Sequence, residues 1–356
     1  MKKALLWVGG ALALAFLVLT IVNASWLAPH PAGAPKQVAQ RALAPQLARS
    51  VSAQGEADCR SDRIEQPYHR YLPNTRSSIL RAQKMGAWLV EVDARLTTDG
   101  EVVLFEPERL DCITDGSGPV GEAGLDTMRS LDPGYGVTVA DGTTPFRGEG
   151  ARIITLDEAL SALPLRGRLM VHLAGSDPAL PDAVAAVFDR LDRDPTAKGD
   201  AFFGSGEQVA RLREALPDVW AFSPARARQC TNSYVRYGWT GYVPQQCRGE
   251  TMLIALDQQT LLWGWPDRLI ARMREHDVTI VIEGPRSSGP NPGTDAVDGI
   301  TLPEQLTQIP ASFNGYVFTD DAFTTLPALI TRFDDRSQAE IDASDAALAR
   351  RRRAKD

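Results

Sequence analysis

Apolar strand-like runs alternate with helical segments along most of this 356-residue chain, and that order predicts an α/β fold. About eight strand–helix units fit between residues 58 and 335, which is the size of a TIM-type (β/α)8 barrel. An open doubly wound sheet is the main alternative, but no G-x-G-x-x-G motif follows the first strand candidate. A long apolar segment near the N-terminus adds a transmembrane helix. We therefore expect a TIM-type barrel with an N-terminal transmembrane helix.

The spacing of apolar residues predicts each element in turn. Consecutive apolar residues between turn residues indicate strands, and recurrence every three or four positions indicates helices. The predicted strands are 64–69, 88–92, 102–105, 169–173, 201–203, 219–222, 253–256, 278–282 and 315–319. The predicted helices are 74–85, 155–160 with Thr155 as cap, 180–191, 207–216, 266–275 and 323–333.

Composition divides the chain into four predicted segments. Residues 1–25 form a membrane anchor or signal peptide, 26–57 an Ala- and Pro-rich linker, 58–335 the barrel and 336–356 a charged tail. Little apolar periodicity in the second segment favours a spacer between membrane and barrel. The basic run at the C-terminus is interpreted as solvated.

The N-terminal segment predicts the location of the protein. Lys2 and Lys3 precede an apolar stretch from Ala4 to Val22, which is close to a full membrane span. The positive-inside rule places the N-terminus in the cytoplasm, so a single-pass inner-membrane protein would hold its barrel in the periplasm or exterior. The segment 22–24 is also an acceptable cleavage site, and cleavage would release a secreted protein.

Charge and cysteine content narrow the functional classes. A formal net charge of -7 leaves no extended basic face, so nucleic acid is not an expected partner. Four cysteines without a CxxC pair disfavour zinc and suit an oxidising compartment. Four cysteines allow three connectivities, of which Cys230–Cys247 is the best local pair.

Two carboxylates end the predicted strand 88–92. Glu91 and Asp93 are two residues apart, so in a strand they point to the same face, with Cα atoms about 6.5 Å apart. Carboxylates in that arrangement can share a hard divalent cation, Ca²⁺ or Mg²⁺. Other predicted strand ends carry His69, Arg70, Glu106, His172, Glu283 and Asp320, and in a barrel such ends form one rim.

The order of these motifs resembles the glycerophosphodiester phosphodiesterase family. Tyr68-His69-Arg70 resembles its opening His-Arg-Gly, and Pro73-Asn74-Thr75 a shortened Pro-Glu-Asn-Thr. Glu91-Val92-Asp93 matches its metal-binding E-x-D. Further similar stretches are 96–100, 110–118, 131–134, 154–160 and 315–320.

This resemblance implies a TIM-type barrel that hydrolyses a glycerophosphodiester to glycerol 3-phosphate and an alcohol. A divalent cation on Glu91 and Asp93 would neutralise the phosphate, and His69 would transfer a proton. Arg70 would clamp phosphate oxygens or form an ion pair at the barrel mouth. The implied partners are a phospholipid-derived glycerophosphodiester or phosphate headgroup, and the membrane through the N-terminal helix.

The chain departs from the family pattern at three positions. Phe105 replaces the second catalytic histidine, His172 a metal carboxylate and Ala174 a lysine. His172 should point into the barrel mouth, where it would replace the missing histidine, with Glu106 or Glu283 completing the metal site. The three simultaneous substitutions favour the alternative, in which His172 is a satisfied core histidine, Glu106 is solvated and Glu283 only ends a strand. Turnover would then be lost, and the barrel would bind a phosphate headgroup or serve as an envelope scaffold.

Overall fold

The computed structural model describes residues 2–48, 59, 63–286, 296–330 and 334–353, with side chains from residue 7 onward. The helices are α1 (Lys2–Asn23), α2 (Arg76–Lys84), α3 (Leu125–Ser130), α4 (Leu156–Ala162), α5 (Leu180–Arg190), α6 (Pro195–Lys198), α7 (Gly206–Ala215), α8 (Pro224–Tyr237), α9 (Asp267–Glu275), α10 (Ala322–Leu329) and α11 (Gln338–Arg353). The strands are β1 (Lys36–Ala39), β2 (Arg63–Ile64), β3 (Leu89–Leu96), β4 (Val102–Leu104), β5 (Thr138–Val139), β6 (Leu169–Leu173), β7 (Ala201–Phe203), β8 (Trp220–Phe222), β9 (Thr251–Ala255), β10 (Thr279–Glu283) and β11 (Tyr316–Thr319).

Two compact units make up the chain. The larger unit contains Gln37–Ser223, Gly299–Leu306 and Phe318–Asp356, and the smaller unit contains Met1–Lys36, Pro224–Asp298 and Thr307–Val317. Most predicted strands and helices are confirmed within a few residues, since long apolar runs and helical periodicity are the strongest local signals.

Parallel pairing organises the larger unit. Its strands lie in the order β8, β7, β6, β3 and β1, with β4 antiparallel to β3. The first six residues of β3 are buried, as expected for a parallel strand covered on both faces. Asp93 of β3 lies beside His172 of β6, and His172 lies beside Phe203 of β7. Side chains of register partners point to the same face, so these three meet at one edge of the sheet.

Helix caps fix where the flanking helices begin. Thr155 accepts a hydrogen bond from the backbone N–H of Glu158, and the Glu158 carboxylate accepts from the Thr155 N–H. Thr75 and Ser78 form the equivalent capping box at α2. Each cap stabilises its helix by about 1 kcal/mol. The α2 cap places the preceding residue, Asn74, against β3.

The smaller unit contains three parallel strands, β9, β10 and β11. A disulfide joins Cys230 of α8 to Cys247, which confirms the predicted local pair. The second disulfide, Cys59–Cys112, belongs to the larger unit.

The predicted linker 26–57 is wrong in part, because β1 lies inside it. Val38 of β1 pairs with Leu89 of β3, so the sheet begins 20 residues before the predicted start of the barrel. The strand is only four residues long and begins with Lys36 and Gln37, which hid it among the alanines and prolines. The predicted strand 64–69 is reduced to β2, which pairs with β5 in a separate two-stranded sheet.

The predicted membrane anchor is not supported. Within the described residues, no helix combines the length and the apolar character needed to cross a membrane. The end of α1 is instead hydrogen-bonded inside the smaller unit, where Arg272 of α9 donates to the Asn23 side chain and the Val22 carbonyl.

The prediction of a solvated charged tail is wrong in part, because residues 338–353 form α11 and one of its arginines is buried. Arg351 is 3% exposed and pairs with Asp321 and Glu65. Its guanidinium also donates to the Tyr68 hydroxyl. A buried arginine is tolerated here because anionic and hydroxyl partners replace its water shell.

We expect Arg351→Met to lower the free energy of unfolding by about 3 kcal/mol, because it leaves Asp321 buried without its cation. The matched control is Arg352→Met, whose exposed pair with Glu304 should contribute less than about 1 kcal/mol. Urea denaturation of both variants measures the difference. Equal, small effects would contradict the packing of α11.

Candidate functional site

Three side chains converge at the ends of β3 and β6. Glu91, Asp93 and His172 each offer a ligand atom, and these atoms lie within 4.8 Å of one another. Both carboxylates are nearly fully buried, whereas the His172 side chain is 23% exposed. We call these three residues the acidic cluster. The structure thus brings together both predicted metal ligands and one of the three predicted catalytic residues.

Hydrogen bonds hold Asp93 on both sides. His172 Nδ1 lies 2.7 Å from Asp93 Oδ1, and the Asn74 amide donates to Oδ2 at 2.9 Å. The Asn74 carbonyl oxygen accepts from the Asp93 backbone N–H, so the two residues are doubly linked. Burial opposes ionisation of Asp93, but the bonds from His172 and Asn74 outweigh it and lower its pKa.

Glu91 has weaker compensation. Its Oε2 accepts from the Arg41 backbone N–H at 2.5 Å, and its carbonyl accepts from Ala42 N–H. Burial and the neighbouring Asp93 charge raise the pKa of Glu91 well above its usual range. Two buried carboxylates in contact are a combination that a divalent cation would neutralise.

Arg41 is the residue that sequence reasoning missed. It follows β1 with φ of 52°, and Ala42 follows with φ of 61°, conformations that are uncommon outside glycine. This turn directs both backbone N–H groups to Glu91 and buries the Arg41 side chain to 6% exposure. The guanidinium donates to Asp320 at 2.8 Å and lies 3.6 Å from Glu106. Those carboxylates more than offset the effect of burial, so the pKa of Arg41 is raised.

A second arginine candidate follows the first strand of the larger unit. Gln40-Arg41-Ala42 comes directly after Val38-Ala39 of β1, whereas the predicted pair His69-Arg70 lies shortly before α2. The arginine at the end of this strand is therefore Arg41, and a glutamine precedes it.

His69 and Arg70 do not join the acidic cluster. His69 packs against the rings of Tyr68, Tyr71 and Phe323, and its Nδ1 accepts from the Tyr71 backbone N–H. Burial lowers the pKa of His69 to about 4, with the Arg351 charge acting in the same direction. Arg70 is exposed. These positions do not favour the expected catalytic roles of this pair. The pair lies shortly before α2 and does not come at the end of a barrel strand.

The two candidate replacements for the missing carboxylate have other partners. Glu106 faces Arg41, and burial together with Asp93 and Asp320 raises its pKa. Glu283, in the smaller unit, is held by Arg228 through bonds of 2.9 and 2.6 Å. Among the described residues, the cluster that could hold a metal contains His172 and neither Glu106 nor Glu283.

Two phenylalanines adjoin residues of the acidic cluster. Phe105 follows β4, is buried, and donates its backbone N–H to the Asp93 carbonyl. The Phe203 ring stacks on His172 with centroids 4.4 Å apart and planes nearly parallel. This stacking and the bond to Asp93 fix the imidazole orientation, leaving Nε2 as the nitrogen that can act on a ligand.

Comparison with solved structures defines the class of fold. The phosphodiesterase domain of an uncharacterised Mycobacterium tuberculosis protein covers 84% of this chain and 99% of its own, with a TM-score of 0.58 and 18% identity. A glycerophosphodiester phosphodiesterase from Agrobacterium tumefaciens has a TM-score of 0.51 and 19% identity, and the match covers 84% of this chain and 99% of that one. An Oleispira antarctica phosphodiesterase, solved with its product sn-glycerol-3-phosphate, has a TM-score of 0.51 and 15% identity. That match covers 83% of this chain and 97% of the other. The chain has the nearly closed parallel (β/α) barrel of the TIM type.

Sequence comparison shows which family part of the chain resembles. Residues 68–173 match the glycerophosphoryl diester phosphodiesterase family. A glycerophosphodiester phosphodiesterase of Bacillus subtilis is 34% identical over 118 residues, which cover 31% of this chain and 40% of the relative. Another Bacillus subtilis protein, provisionally given the same name, is 35% identical over 108 residues, covering 30% and 41%. Residues 68–173 of the chain are therefore similar to the glycerophosphodiester phosphodiesterase family, and the match spans less than half the length of these relatives.

The pKa of His69 generates a prediction about stability. The folded protein holds this histidine neutral down to about pH 4, whereas the unfolded chain takes up a proton near its usual pKa of 6.5. The contribution of His69 to the free energy of unfolding is therefore fully present above pH 6.5. It is lost as the pH falls toward 4, by up to about 3 kcal/mol.

The measurement is urea denaturation at a series of pH values for wild type and His69→Asn, which keeps an acceptor for the Tyr71 N–H. We expect the variant to lose less stability than wild type between these pH values. Parallel curves would show that His69 is not buried as described.

Proposed function

We propose that the chain is a glycerophosphodiester phosphodiesterase that uses a divalent cation, Ca²⁺ or Mg²⁺, held at Glu91 and Asp93. The observation that carries this proposal is the acidic cluster, in which two buried carboxylates and an imidazole offer converging ligand atoms. The similarity of residues 68–173 to the family supports the same reaction class. The proposed products are glycerol 3-phosphate and an alcohol.

The donor set fits a hard cation. Carboxylate oxygens are preferred ligands of Ca²⁺ and Mg²⁺, and each carboxylate has lone pairs beyond those used by its hydrogen bonds. Burial and the neighbouring Asp93 charge raise the pKa of Glu91, and a bound cation would offset both effects. When bound, the cation would neutralise the phosphate and polarise its oxygens.

Arg41 and His172 would then act on the substrate. Arg41 has five donors, and its known partners are Asp320 and Glu106, so donors remain for a phosphate oxygen. His172, oriented by Asp93, would accept or donate a proton at Nε2, in place of the histidine that Phe105 replaces. A single histidine in this role predicts slow turnover.

A second candidate is binding without turnover. Phe105 replaces one group that would move protons, and His69 packs against Phe323 and not in the acidic cluster. In that case the cluster and Arg41 would still hold a phosphate headgroup, and the barrel would serve as a receptor or an envelope scaffold. Fold alone does not separate these functions.

We also propose that the protein works in an oxidising compartment outside the cytoplasm. Both cysteine pairs form disulfides, Cys59–Cys112 and Cys230–Cys247, and such bonds persist mainly in oxidising surroundings.

Hydrolysis of a panel of glycerophosphodiesters, followed by release of glycerol 3-phosphate, tests the reaction. Wild type should show metal-dependent turnover, and Glu91→Gln and His172→Asn should each lower kcat/KM by about 10²–10⁴-fold. His172→Asn keeps a donor for Asp93 and removes only Nε2. The matched control, His69→Asn, should retain wild-type activity at neutral pH. Equal residual rates in all four proteins would favour binding without turnover.

Cation affinity should depend on pH. Because its pKa is raised, the Glu91 carboxyl stays protonated to a higher pH than an ordinary glutamate, and cation binding must displace that proton. Affinity for Ca²⁺ or Mg²⁺ should therefore rise with pH, by at most about tenfold per unit for one proton. Calorimetry in buffers of different ionisation enthalpy counts the protons released. Glu91→Gln should bind more weakly and release fewer protons, and pH-independent binding between about pH 5 and 8 would contradict the assignment.

A further inference from the structure

A pocket that is open to solvent lies within the larger unit, and its wall includes Arg41 and Asn74, which bond to residues of the acidic cluster. Most of its wall is apolar, with Leu47, Ile64, Leu72, Ile113, Val137 and Ile153 among its lining residues. Five of these six side chains are members of one buried apolar cluster, and Leu47 packs against it. An apolar pocket with a few polar groups at one end is the usual form of a small-molecule site.

The polar end of this pocket is shared with the candidate active site. Arg41, Asn74 and Glu106 line it. Arg41 donates its backbone N–H to Glu91, and Asn74 donates its amide to Asp93. A phosphate held beside these residues would therefore direct one of its two ester groups into the apolar part of the pocket.

The charges in the pocket disfavour a cationic group there. Among the described residues that line the pocket, Arg41 and Arg152 are cationic, and Glu106 is the one carboxylate and already faces Arg41 at 3.6 Å. Phe105 is the one aromatic side chain among these described residues, whereas quaternary ammonium groups are recognised by cages of several aromatic rings. Choline or ethanolamine would meet net positive charge without such a cage.

The apolar wall also disfavours the glycerol half of the substrate. Hydroxyl groups placed against Ile113, Val137 and Ile153 would lose hydrogen bonds to water without replacement. An aliphatic group would gain from the same contacts, roughly fourfold in affinity for each methylene group buried.

We propose that this pocket receives the alcohol group of the phosphodiester and selects an uncharged aliphatic alcohol over choline or ethanolamine. The inference rests on the proposed phosphodiester site for the position of the phosphate. It assigns specificity to the apolar side chains of the wall, which are separate from Arg41 and Asn74 at the polar end.

Calorimetric binding of inorganic phosphate, n-butyl phosphate and phosphocholine in the presence of Mg²⁺ tests the proposal. Wild type should bind n-butyl phosphate at least about tenfold more tightly than phosphocholine, given the gain per methylene group. Equal affinities, or tighter binding of phosphocholine, would overturn the specificity. Absence of phosphate binding would overturn the proposed function as well, so the two failures are distinguishable without measuring turnover.

Val137→Phe, which fills part of the pocket, tests the position of the aliphatic group. The matched control is Val139→Phe, at a buried valine of the same apolar cluster that does not line the pocket. Val137→Phe should lose most of the preference for n-butyl phosphate while its affinity for inorganic phosphate stays within twofold, and Val139→Phe should retain both. Loss of the preference in both variants, or in neither, would overturn the assignment. If Val137→Phe does not fold, the wild-type ligand series alone decides.

Discussion

Two like charges buried side by side are the constraint on which the site depends. Glu91 and Asp93 lie on one face of β3 because residues two apart in a strand share a face. Out of water, each carboxylate needs donors or a cation, and neighbouring elements supply them. Asn74 and His172 serve Asp93, while the turn after β1 serves Glu91. The left-handed backbone at that turn aims the Arg41 N–H at the Glu91 carboxylate and the Ala42 N–H at the Glu91 main-chain carbonyl.

The surrounding donors offset the burial of the two carboxylates unequally, and this difference separates their pKa values. Asp93 remains ionised because three neighbours favour its charge, whereas Glu91 holds a proton more readily. A pair of acids with pKa values pushed apart by their surroundings is common at functional sites. Here it lies beside an arginine and an oriented histidine, which is the chemistry that a phosphodiester requires.

Much of the fold could be predicted from the sequence, because β3, β6, β7 and the helices between them are long or strongly periodic. The acidic cluster could be predicted too, since Glu91 and Asp93 follow from spacing and His172 from alignment of a strand. Strand β1 could not, because four residues carry almost no periodicity and its burial comes from its pairing with β3. The same short strand hid Arg41, which follows it. The burial of Arg351 was missed for a related reason, since a charged sequence does not reveal that this arginine pairs with buried anions.

The disulfide Cys59–Cys112 has a practical consequence for producing this protein. It closes a loop of 53 residues that contains α2, β3 and β4, and therefore both cluster carboxylates. A crosslink over a loop of that length removes chain entropy equivalent to about 4 kcal/mol from the unfolded state. Expression in a reducing host would withhold that stabilisation from the part of the chain that forms the cluster. Secretion, or refolding under oxidising conditions, is the route that should yield a competent preparation.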